Sequence, residues 1–429
     1  MFGDTRKIIM TTATIEKPTE TPTVRVGIIG AGGRGIGCFG KLLKEHTGVQ
    51  LAALADTNMQ RLEGAQETLG SEAALYTDVE AMLKETRLDG VVITTPDFTH
   101  ADTVIAALHS GVKHVLVDKP LATTTDGCVR VVKAMEETGG TVAIGFNLRH
   151  APLLARIKEI LANGEIGDLM LAENREFYDG GRTYMARWNR KYAWSGGLWI
   201  HKGSHDFDIF NWWNEGGVPQ TVFASAGLNA LRPDKIPFDV EEGKPVGPTC
   251  SECSYYDICP DHNDAGMSNL FNEKTASTDG YHKDLCIYTS DKDVHDNGIA
   301  IVQYDNNVRI SHLECFVSNF ADRSYTLTGD RATLEAHLAD PTKIHFRPRW
   351  GEDKIIDVPQ PRDGGHGGAD PSLVDDLVQA MRGEKIKLIG IKDGIRAVAV
   401  GQAAEISWRE KRAVNISELV DLYDPRFND

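Results

Sequence analysis

Residues 24–35 read VRVGIIGAGGRG, and the rest of the chain is organised around them. Val24, Val26, Ile28 and Ile29 crowd into a run too short for a helical turn before the glycines, which predicts a buried parallel strand. Gly30-x-Gly32-x-x-Gly35 follows at once. In a strand–turn–helix setting the first glycine permits the tight turn and the second lets backbone approach a pyrophosphate. The third lets the next helix lie against the strand, with its free N–H groups facing the phosphates. Such a motif alone is weak in a chain with 42 glycines. Its context strengthens it: Ile36, Phe39, Leu42 and Leu43 give a helical pattern after the loop, and a second strand, 51–55, ends at Asp56. An acid at that distance is placed to bind the adenosine ribose hydroxyls.

The alternation continues. Helical patterns at 59–69, 79–85, 101–109 and 125–137 separate strands at 73–76, 90–94, 114–117 and 141–145. This predicts an α/β unit over 24–148, a doubly wound parallel (Rossmann) sheet. Ligands of such sheets sit beyond the carboxyl ends of the strands. The residues there that become candidates for the cofactor are Gly30, Gly32, Gly33, Arg34, Gly35, Asp56, Thr95, Pro96, His100, Lys119 and Asn147. The Asp56 carboxylate accepts bonds from two ribose hydroxyls and repels a 2′-phosphate, which favours NAD over NADP. Arg61, a turn further on, could soften that preference.

From 149 to 429 the pattern changes to that of an α+β domain. A helix at 152–162 precedes strand-like runs at 169–177, 221–228, 299–304, 308–317, 325–328 and 343–346, with closing helices at 370–382 and 394–409. Few helices interrupt the later strands, so a large, mainly antiparallel sheet is expected. One face of such a sheet can meet a partner subunit, and a homo-oligomer, dimer or tetramer, through it is expected. Residues 1–23 are rich in Thr, Glu and Pro and read as a mobile tail without the pattern of a secretory signal.

Composition narrows the function classes. With 41% hydrophobic and 25% charged residues the 429-residue chain has the make-up of a soluble globular protein of two domains. A formal charge of −16 argues against nucleic acid or an anionic membrane as partner. No apolar run is long enough to span a membrane. Seven cysteines, an odd number in a large chain, suit a reducing compartment, and the cytoplasm is expected.

Three segments in order, GIIGAGGRG, TTPDFTH at 94–100 and VDKP at 117–120, resemble the Gfo/Idh/MocA family of sugar and polyol dehydrogenases. The third is usually Glu-Lys-Pro in that family; here Asp118 keeps the charge with a shorter reach. The resemblance implies that Lys119 touches the reacting hydroxyl at the nicotinamide end of the site. It also extends to WSGGLWIHKGSHDFDIFNWW, 194–213, where Gly203, His205 and Asp208 match the family's second signature. The usual aspartate of that signature falls on His201. If one helix carries His201 and His205, the i, i+4 spacing lets them converge on one substrate oxygen. An imidazole suits proton transfer near neutral pH. His205 is therefore the first candidate for the acid/base, Lys119 its rival, and His201 a positioning group.

Between 182 and 202 stand Arg182, Arg187, Arg190, Lys191 and Lys202 with no acid, interleaved with Trp188, Tyr192, Trp194 and Trp199. Aromatic faces suit a sugar ring and clustered cations suit a carboxylate, phosphate or sulfonate. An anionic or richly hydroxylated sugar is expected, with Arg149, Tyr184, Arg187, Trp199, Lys202 and His366 as candidates to bind it. A polar insertion, 234–296, carries Cys250, Cys253, Cys259 and Cys286. Thiolates at x2 spacing chelate an ion readily, so structural zinc is the first reading, with His262 able to replace Cys286. An iron–sulfur cluster or unligated thiols are the alternatives.

The leading expectation is an NAD-dependent oxidoreductase taking hydride from a secondary alcohol carbon of a sugar, polyol or glycoside. The alternative, again from the resemblance, is an NAD-dependent glycoside hydrolase. Such an enzyme oxidises a ring hydroxyl transiently, eliminates the aglycone, adds water and returns the hydride. It needs a second base, for which His201, His366 and Tyr184 are candidates. A non-catalytic NAD-binding sensor would not need Lys119 and His205 together.

Overall fold

The computed structural model describes residues 23–263, 268–361 and 365–427; the expected N-terminal tail lies almost entirely outside them. The opening run is strand β1 (Val24–Ile29). It is followed by β2 (Val49–Ala55), β3 (Ala74–Tyr76), β4 (Gly90–Ile93), β5 (His114–Val117) and β6 (Thr141–Ile144). They form one sheet in the order β3-β2-β1-β4-β5-β6, every pair parallel. The strand order reverses between β1 and β4, which opens a crevice at their carboxyl ends. Side-chain caps start the connecting helices where the sequence places them: Asn58 accepts from the Arg61 amide, Asp78 from Ala81 and Thr124 from Gly127.

The second sheet contains β7 (Leu169–Phe177), β8 (Pro219–Gly227), β9 (Asn297–Tyr304), β10 (Arg309–Cys315) and β11 (Asp322–Gly329). It is completed by β12 (Ala332–His337), β13 (Asp340–Pro348), β14 (Lys354–Asp357) and β15 (Val414–Asn415). Their order is β14-β13-β12-β11-β7-β10-β9-β8-β15, antiparallel except for the β7–β10 pair. Sequence reading missed β12, β14 and β15: ATLEAH has no apolar β-branched residue, and the other two are only four and two residues long. One face packs on the helices Ser204–Trp213 and Ile391–Glu410, burying Phe207, Phe210, Val398 and Tyr325. The other leaves Phe223, Ile299 and Ile301 exposed, with Phe223 opposite Ile301 on neighbouring strands.

The two sheets share packing. The helix Gly365–Met381 follows the second sheet in sequence, yet its Leu373, Val374, Leu377 and Val378 are buried with Val26 and Ile28 of β1. It begins five residues before the expected start at 370, so Asp370 sits inside it and cannot cap it.

Candidate active site

The glycine loop divides into two kinds of position. A Cβ on Gly30, whose φ is 102°, would lie 2.7 Å from the backbone of Thr94 and Thr95, and one on Gly35 would lie 2.1 Å from the Gly30 carbonyl oxygen. These two glycines hold β1, β4 and the following helix together. Around Gly32 and Gly33 a Cβ would meet nothing within 4 Å, so the loop leaves the open cradle that a pyrophosphate needs. Asp56 is oriented towards that cradle: its Oδ2 accepts from the Ala31 amide at 2.9 Å and its Oδ1 from the Asn58 amide at 3.0 Å. The residues present therefore fit a dinucleotide. Gly35→Ala is expected to abolish soluble, cooperatively folding protein. Gly32→Ala is expected to keep the melting temperature within about 2 °C while weakening NADH binding by roughly tenfold, measured by fluorescence titration.

Three cofactor candidates have other work. Arg34 binds Asp118 at 3.2 Å and Asp370 at 2.9 Å and lies over the Phe39 ring. Its charge is spent joining the glycine loop to β5 and to the helix Gly365–Met381. Asn147 is buried and donates to Asp370 at 2.5 Å; its Oδ1 has no partner among the described residues. His100 is buried, with Nδ1 2.6 Å from the Pro120 carbonyl and Nε2 2.8 Å from that of Thr95. It ties the β4 and β5 loops together instead of facing the crevice. Thr95 Oγ1 accepts from Thr99 at 2.7 Å, and Pro96 opens the short turn Asp97–Thr99.

Lys119 stands at the carboxyl end of β5, its Nζ 2.5 Å from the His201 carbonyl oxygen. Burial lowers its pKa, against the attraction of Asp97 and Asp118. The expected single helix through His201 and His205 is broken: Leu198–His201 and Ser204–Trp213 are separate helices. His201 Nδ1 lies 2.6 Å from Asp97 Oδ2, and its Nε2 lies 2.7 Å from Asn189 Nδ2. An amide N–H₂ can only donate, so Nε2 is the acceptor and Nδ1–H donates to Asp97. Burial and the neighbouring Lys119 and Lys202 hold the imidazole well below its ordinary pKa, so the ring is neutral. Burial also pushes the Asp97 carboxyl up to about 7, although His100 and Lys119 oppose it. The rings of Tyr184 and Trp188 meet His201 edge-on at 5.6 and 5.2 Å. His205 is 4% exposed and packs edge-on against Phe146, which follows β6, the neighbour of β5. Sequence reasoning gave Asp97 and Asn189 no role. Asp97's place at the end of β4 was the one available signal for it.

The two-domain fold that carries these residues is shared with known proteins. Residues 24–146 match the model of an oxidoreductase family's NAD-binding Rossmann fold, and residues 158–416 that of the same family's C-terminal alpha/beta domain. The chain belongs to the Gfo/Idh/MocA oxidoreductase family. It is 31% identical over 374 residues to YteT of Bacillus subtilis (strain 168), named as an oxidoreductase, covering 80% of this chain and 85% of YteT. It is 32% identical over 156 residues to the inositol 2-dehydrogenase of Salmonella typhimurium (strain LT2), covering 36% of this chain and 46% of that protein. The fold matches that of a levoglucosan dehydrogenase solved with NADH and levoglucosan, with a TM-score of 0.70 at 15% identity over 92% of this chain and 99% of the other. This Gfo/Idh/MocA chain lacks the aspartate expected at position 201, and Asp97 brings a carboxylate to that histidine from the first domain.

Most cations of the basic stretch are neutralised by acids, several of them distant in sequence. Lys202 binds Glu176 at 3.0 Å, Arg190 and Lys191 bind Asp291 at 2.7 and 3.2 Å, and Arg182 binds Asp179 at 2.8 Å. Arg149 is a bidentate partner of Asp208, at 2.9 and 2.6 Å, and reaches Asp393 at 2.7 Å. Trp199 is fully buried against the His295 ring at 4.7 Å and presents no face to a sugar. Tyr184 is buried with its hydroxyl bonded to that of Tyr178. Arg187 differs: its Nε is buried without a hydrogen-bond partner among the described residues. The His366 side chain lies outside the described residues.

Cys250, Cys253, Cys259 and Cys286 do come together, lining one cavity with His262, Phe238, Val246, Ile287 and Tyr288. Among the described residues, however, no group of three or more His, Cys, Asp or Glu side chains is arranged to hold a metal ion, and the expected zinc or iron–sulfur site is not supported. Tyr256 and Asp261 complete the wall, and burial pushes the Cys250 thiol up to about 11. Among the described residues no helix is long and apolar enough to cross a membrane.

Proposed function

We propose that this oxidoreductase dehydrogenates a secondary alcohol carbon of a sugar, polyol or glycoside with NAD. The observation that carries the reading is Lys119, a half-buried lysine at a strand end beside the nucleotide crevice, fixed by the His201 carbonyl. NAD, when bound, supplies the hydride acceptor. Asp56 and the open backbone at Gly32 and Gly33 hold the adenosine ribose and the pyrophosphate. Burial lowers the Lys119 pKa and so favours the neutral amine, which takes the proton of the reacting hydroxyl. His205 orients that hydroxyl. His201 is a positioning residue, since both of its ring nitrogens are engaged and its carbonyl fixes Lys119. Arg187 is the cation best placed to bind an acidic substituent on the sugar, because its Nε lacks a partner.

The test incubates purified protein with NAD and a panel of neutral and acidic sugars, polyols and aryl glycosides. NADH accumulation with a free sugar is the expected result, and Arg187→Ala should raise KM for acidic substrates only. Aglycone release without NADH accumulation would replace this reading with the transient-oxidation glycosidase. A second copy of the chain is the proposed cover for the sheet face bearing Phe223, Ile299 and Ile301. Sedimentation of Ile301→Lys, expected to run as a smaller species than wild type, checks it.

A further inference from the structure

The insertion that interrupts the second domain reaches the adenosine end of the coenzyme crevice. Its helix Glu273–Asp279 starts on a capping box formed by Asn272 and Thr275. The segment before it lies flush on the first-domain helix Met59–Leu69, where a Cβ on Gly64 would stand 2.0 Å from the Asn269 carbonyl oxygen. Asn58 donates to the Thr275 carbonyl and to Asp279 Oδ2, both at 2.9 Å. Asp279 is held further by the Tyr281 amide, 3.0 Å from its Oδ1.

Between Asp56 and Asp279 lies Arg61. Its Nη1 is 3.0 Å from Asp56 Oδ1 and its Nη2 is 2.6 Å from Asp279 Oδ2. Its Nε donates to the Leu270 carbonyl at 3.4 Å, and the guanidinium lies 5.4 Å from the Phe271 ring centroid. Arg61 is 8% exposed. Every nitrogen of Arg61, the cation that pairs with Asp56, is therefore engaged, two of them by residues of the insertion. The triad of two carboxylates and one guanidinium also carries a net negative charge beside the ribose.

We propose that Asp279 is a specificity-determining residue for the coenzyme: by holding Arg61 it keeps the ribose pocket selective for NAD over NADP. This rests on the reading that the crevice binds a dinucleotide. Asp279 acts through Arg61 and through the charge it adds, and is a positioning residue. Without it the triad becomes neutral overall and the Nη2 group is released towards the pocket.

The experiment measures NADH and NADPH dissociation constants by fluorescence titration of the full chain, wild type against Asp279→Asn and Asp279→Ala. Asp279→Asn is isosteric and guards against loss of the fold, checked by circular dichroism. The ratio of NADPH to NADH dissociation constants is expected to fall by about tenfold or more in both variants, mainly through tighter NADPH binding. Asp279→Glu should stay near the wild-type ratio, and adding Arg61→Met to Asp279→Ala should remove the NADPH gain. A ratio within about twofold of wild type in both variants, or equal weakening of both coenzymes, overturns the proposal and leaves the dinucleotide site standing. Failure of the wild type to bind either coenzyme overturns both.

Discussion

Lys119→Met is expected to lower kcat/KM by roughly 10³-fold while NADH affinity changes by less than about threefold. Lys119→Arg is expected to do no better. Arginine keeps the positive charge but does not release its proton at any working pH, so it can polarise a hydroxyl without accepting its proton. The pair of variants thus separates proton transfer from charge. The pH dependence gives a second readout. Burial lowers the Lys119 pKa, so the wild-type kcat/KM should rise with pH through that lowered value as the neutral amine forms. Both variants should lose that limb. Near-wild-type turnover by Lys119→Arg would show that charge alone suffices and would move the proton acceptor to another group, His205 first. Stopped-flow measurement of NADH formation with the best substrate of the panel decides between them.

Glu176→Gln is expected to cost about 3–5 kcal/mol of stability, the loss that follows when one partner of a buried ion pair is removed. Glu176 on β7 accepts from Lys202 at 3.0 Å and is in direct contact with Arg323 of β11, which also lies 3.1 Å from Asp206. Burial alone would push this carboxyl up, but Arg323 and Lys202 outweigh it and hold it below its ordinary pKa. Neutralising it leaves the buried Arg323 and the half-buried Lys202 with Asp206 as a remaining carboxylate, in a region where desolvation is costly. At about 2–4 °C per kcal/mol for domains of this size, the melting temperature should drop by on the order of 10 °C. Glu173→Gln is the control. It lies on the opposite face of the same strand, is more exposed and pairs only with Arg175, so its change should stay within about 0.5 kcal/mol. Urea unfolding of both variants checks the difference, and equal midpoints would refute the account.

The legible and the illegible parts of this molecule separate along physical lines. The parallel sheet could be read because an apolar run followed by glycines is a local pattern, and the stereochemistry of Gly30 and Gly35 is set within a few residues of each. Lys119 could be read because a strand's end fixes where it points. The buried face of β7 was not open to reading: it carries Ala172, Asn174 and Glu176, while Leu169, Leu171 and Phe177 stand on the other face, and nothing along the strand says what neutralises the glutamate. The basic stretch misled for the same reason. Its acids, Asp291 for Arg190 and Lys191 and Glu176 for Lys202, are far from them in sequence and close only in space.

By itself, then, the sequence determined the doubly wound first domain, the crevice at its strand ends and the lysine that follows β5 there. Only the tertiary structure decided that Asp97 partners His201, that Trp199 is core, that the four cysteines line one cavity, and that Asp279 reaches Arg61. Strand and turn formation depend on neighbours along the chain. Desolvation and ion pairing depend on distance in space, which no single stretch of sequence carries.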